Sequence, residues 1–180
     1  IKRLIDKRKV SNRKILSIII ENGLSLFIDR FIEYWEKDYD VFCFKLDVLA
    51  ARKYLNEIML HSDLCFFEWG GEVLAYGSNL REALEKPIIC RIHRYEVFQE
   101  NIKKINWTSI DKIVFIAEHV RSLFMSQINA PIEKTTIIYN GIDSRKFAYR
   151  KRTHGFKLAY LGALKYEKGT EMLLQIIKKL

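Results

Sequence analysis

Proline is scarce, with only Pro87 and Pro131 in 180 residues, and glycine numbers eight. So little of either excludes collagen-like and Pro/Gly-rich disordered chains. No G-x-G-x-x-G occurs, so a dinucleotide-binding fingerprint is missing, and no Walker loop is present. Cysteine is rare and odd in number: Cys43, Cys65 and Cys90, none at metal or redox spacing. Each stands in a short apolar run, which predicts buried, reduced thiols on strands and a reducing, cytoplasmic setting. The four histidines, His61, His93, His119 and His154, show no ligand spacing. No apolar run approaches the ~18 residues of a membrane span, and there is no signal peptide. The chain starts with Ile and stops in a helical pattern at IIKKL, so both ends read as cut.

What is abundant is hydrophobic residue, 49%, and positive charge, a net +9. The charge is concentrated. Residues 1–13 carry a net +5 and residues 144–157 a net +6, which leaves the remainder at −2. A broad basic groove for nucleic acid is therefore excluded, and no aromatic-basic motif accompanies the charge. Solvated loops are one reading of the two basic stretches. Contact with anionic lipid headgroups or a charged acceptor is the other.

Two periods alternate along the chain. Continuous β-branched or apolar runs predict strands at 14–20, 39–45, 64–69, 87–93, 112–118 and 135–141. Helical spacing lies between them: Phe27, Phe31, Tyr34 and Trp35 form one stripe, and Val48, Leu55, Ile58 and Met59 form another. Helices are also expected at 71–86, at 95–104 and after 118. This alternation predicts an α/β domain over 14–141, a doubly wound parallel sheet of Rossmann-like type. A basic arm (1–13) precedes it. A linker (142–155) follows, leading to the first strand (156–162) and helix of a second Rossmann-like domain, truncated at 180.

In such a sheet the ligand crevice lies outside the carboxyl ends of the strands. The first strand ends at Asn22-Gly23, where glycine lets backbone approach a ligand or simply makes a tight turn. The third ends in Glu68-Trp69-Gly70-Gly71, suited to a sugar or to loop packing. The fourth ends in Arg91-Ile92-His93-Arg94-Tyr95-Glu96, where several side chains that donate, accept or carry charge crowd together. Its imidazole is either a hydrogen-bonding strand-end histidine or a group that steadies a sugar hydroxyl. Near the chain's end, Gly162-Ala163-Leu164-Lys165-Tyr166-Glu167-Lys168-Gly169-Thr170 joins the expected strand to a helix. Lys168 beside a helix N-terminus, with Thr170 as the cap, makes an anion site or a plain loop.

The stretch TTIIYNGIDSRKF followed by FKLAYLGALKYEKGTEMLLQIIKKL resembles the family 4 glycosyltransferases. Asn140, Gly141, Asp143 and Phe147 match that family's interdomain passage, and Gly162, Lys168 and Gly169 match its strand-Gly-loop-Lys-Gly-helix. SDLCFFEW, KPIICRIHR and DKIVFIAEHVRSLF look like its later N-terminal strands, so the likeness covers residues 14–180. The resemblance implies a GT-B fold and transfer of a sugar from a nucleotide-sugar donor to a glycan or lipid-linked acceptor. It further implies retention of configuration and no metal or other cofactor. His93 would be catalytic, near the transferred sugar. Asn22 and Gly23 would lie near the acceptor or the donor phosphate, and Glu68, Arg94 and Glu96 would face the acceptor. Gly162, Lys165, Lys168 and Gly169 would face the donor, with Lys168 on its diphosphate. Two departures stand out. Ala163 occupies a position where the family has a basic residue, and the family's paired glutamates would lie beyond residue 180, so this fragment is expected to be inactive alone. Ala163 keeps open a non-catalytic relative that binds or assembles. A dehydrogenase is disfavoured by the missing glycine fingerprint. The basic stretches allow peripheral contact with an anionic membrane at its inner face.

Overall fold

KILSIII forms β1 (Ile15–Glu21), and its β-branched side chains have no polar face to offer. Ile15, Leu16, Ile18, Ile19 and Ile20 are all at most 2% exposed, so the strand must lie inside a sheet covered on both sides. The computed structural model, which describes residues 1–21, 28–151, 155 and 159–179, places it there. The other strands are β2 (Asp40–Leu46), β3 (Leu64–Glu68), β4 (Ile88–Ile92), β5 (Lys112–Phe115) and β6 (Thr135–Ile137). All pair parallel, in the order β2-β1-β3-β4-β5-β6. The chain runs one way from β1 to β2, then crosses β1 and continues the other way from β3. The strand order therefore reverses between β1 and β3. This is an α/β, Rossmann-like arrangement, with all six strands at the expected places.

The helices are α1 (Lys2–Val10), α2 (Asp29–Trp35), α3 (Val48–Leu60), α4 (Glu72–Leu84) and α5 (Glu118–Met125). Alternate residues of β1 feed two cores. Leu16, Ile18 and Ile20 pack with Ile28, Phe66 and the Phe31, Ile32 and Trp35 side chains of α2. Ile15 and Ile19 join the larger core with Leu55, Ile58 and Met59 of α3, Val73 and Leu74 of α4, and Val120 and Phe124 of α5. Asp47 caps α3 by accepting from the Ala50 amide at 2.7 Å. Of the expected stripes, Phe31 and Trp35 pack on the smaller core and Leu55, Ile58 and Met59 on the larger one, Val48 is half-buried, and Phe27 lies outside the described residues. Tyr34 is exposed, under the Lys37 ammonium at 5.0 Å.

Residues 1–13 are more than a solvated arm. They form α1, whose Leu4 is fully buried in the larger core. Three of the basic side chains of residues 1–13 are anchored at the amino ends of the strands. Arg8 pairs with Asp63 at 2.6 Å, and Lys7 and Arg13 pair with Asp40, which also accepts from the Ser11 hydroxyl. Ser11, then Lys7 and Arg13, hold Asp40 below its usual range.

The helix expected at 95–104 is replaced by two 3-10 turns, Glu96–Phe98 and Glu100–Lys104, broken at Gln99. Val97 and Ile102 are both buried. In an α-helix residues five apart point about 140° away from each other, so one continuous helix could not send both inward.

Cys43 corrects the expectation for the thiols. It lies exposed on the edge strand β2, whereas Cys65 and Cys90 are buried. Partial desolvation, with Asp29 and Glu36 nearby, pushes the Cys43 thiol up to about 11. The native protein should therefore take up one equivalent of a maleimide, slowly at neutral pH and faster in alkali. The other two thiols should react only on unfolding. Rapid labelling of two or three would contradict this placement.

The first compact unit ends at Gly141, and residues 142–180 form a second. That second unit holds 3-10 turns at Ser144–Lys146 and Tyr166–Lys168 and one helix, α6 (Thr170–Ile177). The strand expected at 156–162 is not there at 159–162, and 156–158 lie outside the described residues. A strand needs a hydrogen-bonded neighbour, and none is described among residues 142–180.

Candidate active site at the carboxyl ends of the strands

Glu68 is the last residue of β3, and its register partner on β4 is Arg91. Adjacent parallel strands in register put both side chains on one face of the sheet, here the α2 side. The Arg91 guanidinium grips the carboxylate twice, Nε at 2.9 Å from Oε2 and Nη2 at 2.5 Å from Oε1. It also lies over the Phe31 ring, 5.1 Å from its centroid. Glu68 is 1% exposed and Arg91 3%, so this is a buried, forked ion pair.

His93 is two residues past Arg91 and points the same way. Its Nε2 lies 3.0 Å from Glu68 Oε1. A carboxylate only accepts, so this nitrogen donates. One face of the imidazole is covered by Trp69, with ring centroids 4.1 Å apart and 20° between the planes. Trp69 takes φ 84, rare for a bulky residue. Holding it there costs on the order of 1 kcal/mol and commonly marks a functional turn.

The backbone around this pair is tied down by Glu96. One of its oxygens accepts from the Gly70 amide at 2.8 Å and the other from the His93 amide at 2.7 Å. The carboxyl is 4% exposed. Burial pushes it up to about 8, while the amides of Gly70 and His93 pull the other way. A Cβ on Gly70 would come 2.5 Å from Ile92 Cδ1, so a larger residue there would push the Ile92 side chain aside. On the other side of the turn, Glu21 at the end of β1 accepts from Glu72 N and Val73 N at 3.3 Å each. A Cβ on Gly71 would overlap its carboxylate.

Glu68, His93 and Glu96 thus come together, and Glu96 spends both oxygens on backbone rather than facing outward. Arg94 does not join them. It is exposed, with its guanidinium 5.2 Å from the Phe98 ring centroid. Asn22 and Gly23 lie outside the described residues. Arg91 and Glu21 were not among the sequence candidates. A charge inside the apolar run IICRI, one strand away from a run ending in Glu68, was the available signal for Arg91. Comparison with known proteins adds no assignment: no family model, no curated protein and no solved structure matches the chain.

In the second unit Gly169 takes φ 70 at the start of α6, a conformation suited to glycine. Lys168 ends the preceding 3-10 turn, and Lys165, Lys168 and Gly162 are exposed. Thr170 does not cap α6 as expected. It is the first helical residue, and its hydroxyl donates to the Lys165 carbonyl at 3.2 Å. Among the described residues no group of three or more His, Cys, Asp and Glu is placed to hold a metal ion. Likewise, no described helix is long and apolar enough to cross a membrane.

Chemically, the first unit offers a rigid imidazole, oriented by a neutralised carboxylate and an aromatic plate, beside the point where strand order reverses. That is where open parallel sheets take their ligands.

Proposed function

We propose that this chain is part of a nucleotide-sugar-dependent glycosyltransferase of GT-B architecture. Its first unit takes the acceptor, and the segment after 156 opens the donor-binding domain. The observation that carries this reading is the Trp69–His93 stack fixed by Glu68 at the carboxyl edge. It is joined to the family-like passage from Thr135 to Gly169. In the reaction the bond from sugar C1 to the diphosphate oxygen breaks and a bond from C1 to an acceptor hydroxyl oxygen forms, the hydroxyl proton passing to the departing diphosphate. His93 would steady hydroxyls of the transferred sugar, and Lys168 would neutralise the departing diphosphate. The acceptor is a glycan or a lipid-linked sugar. The exposed side of α1 offers peripheral contact with anionic lipid, although its ion pairs lie at the amino ends of the strands, opposite the candidate site. Ala163 favours the second reading, a non-catalytic relative that kept the fold for binding.

The test is transfer by the full-length protein from a panel of nucleotide sugars. Lys168→Ala should lower turnover roughly a hundredfold, the usual effect of losing one preorganised charge partner of the leaving group. Lys165→Ala should matter much less, unless Lys165 replaces the base missing at Ala163, in which case both substitutions hurt alike. Full activity in Lys168→Ala, with the variant shown to be folded, removes the phosphate role. No transfer with any donor, together with retained sugar binding, favours the non-catalytic reading.

A further inference from the structure

In a parallel α/β sheet the turn at the strand-order reversal, leading into a helix, is the natural seat of a phosphate. Its amides point outward and the helix dipole favours negative charge. Here that turn is Trp69–Val73, leading into the 13-residue α4. Three of its amides are already taken by carboxyl groups. Gly70 N donates to Glu96, and Glu72 N and Val73 N donate to Glu21. The two carboxyl groups come from opposite sides, one from the end of β1 and one from beyond β4. The absent side chain of Gly71 makes the room that Glu21 occupies.

We propose that Glu21 and Glu96 close the β3–α4 turn to anions, so that the crevice of the first unit rejects phosphate and takes a neutral, hydroxyl-bearing group. The bonds from Glu72 and Val73 are long, but they are charge-assisted and lie at the positive end of the helix. A phosphate would have to displace Glu21 and also approach Glu72. Arg91 adds no net attraction for an anion, since Glu68 already balances it. Desolvation raises both plugging carboxyls above their ordinary range, which is what groups enclosed by protein show. Hydroxyls, in contrast, can donate to carboxylate oxygens. The inference deepens the glycosyltransferase reading: with this turn closed to phosphate, the donor's diphosphate falls to other residues, Lys168 foremost.

The experiment is a titration of the full chain with inorganic phosphate, followed by amide NMR at Gly70, Glu72 and Val73. The wild type should show no saturable shift at these amides. Glu21→Ala should open the turn and tighten phosphate binding at least about tenfold, the scale of a helix terminus regained with a repelling charge removed. Glu21→Gln keeps the shape and loses the charge, and should show a weaker gain of the same kind, which decides the matter should the alanine variant not fold. Saturable phosphate binding at these amides in the wild type overturns the proposal, as does the lack of any gain in the folded variants. The readout contains no sugar transfer. A closed turn in a protein that transfers nothing rejects the functional reading alone. An open turn in an active transferase rejects the plug alone.

Discussion

Arg91→Ala should destabilise the protein by about 3–5 kcal/mol, the range for breaking a buried ion pair from one side. The number is large because of what stays behind. Glu68, 1% exposed in the wild type, would lose the guanidinium that balances it, and His93 would be its one remaining side-chain partner of those described above. Arg91 also loses its packing over Phe31. Urea unfolding of the wild type and variant measures the difference as a drop in midpoint at unchanged slope. The double variant Arg91→Met with Glu68→Leu should recover much of the loss, since replacing both charges with apolar groups removes the desolvation problem. His93 then loses its carboxylate partner and keeps only the Trp69 stack of the two contacts described above. A drop under about 1 kcal/mol in the single variant is the behaviour of an exposed pair and would contradict the burial described here.

That same pair shows where the sequence was legible and where it was not. The strands could be read because buried parallel strands have a plain signature, a short apolar run bounded by polar residues. KILSIII, LCFFEW and PIICRIH all carry it. The ends of the strands were legible as well, so Glu68 and His93 could be placed at one edge. Register was not legible, because it depends on how two runs far apart in sequence align. Without it, Arg91 was one more residue in a strand-end cluster, and Glu96 looked as available as Arg94. Only three-dimensional packing distinguishes them. The 3-10 turn carries Glu96 inward onto two backbone amides and leaves Arg94 outside on Phe98. Glu21 was hidden for a similar reason: its role depends on the room left by Gly71, a residue of another loop. The second unit was read through a family-like pattern of glycines and lysines. Such a pattern fixes the turn at Gly169 but not the strand at 159–162, whose formation needs a neighbour outside the local sequence.

Glu96 should make the protein less stable as pH rises, opposite to the usual behaviour of a carboxylate. Its folded-state value is about 8, against an ordinary 4.5. Below the ordinary value, both the folded and unfolded chains hold the proton and the group contributes no pH dependence. Between 4.5 and about 8 the unfolded chain has released the proton while the folded chain keeps it. Each pH unit in that window then lowers stability by about 1.4 kcal/mol, so the full window is worth roughly 5 kcal/mol. Above it, both states are ionised and the loss is complete. Glu21, raised for the same reason of burial, acts in the same direction. Asp40 and Asp63 act oppositely. Asp40 is lowered mainly by Ser11. For Asp63, the Ile15 amide and Arg8 outweigh burial. Their contribution is present above the ordinary value of 3.8 and fades only as pH falls below it, so it is constant in the window where Glu96 titrates. Urea unfolding at several pH values across that window, for wild type and Glu96→Gln, isolates the group. The glutamine should cost about 1–3 kcal/mol in itself, because its amide nitrogen faces a backbone donor and only one of the two bonds survives. It should also flatten most of the slope, since it has no proton to exchange. If the two proteins keep the same slope, Glu96 is ionised throughout, and the falling stability belongs to another group.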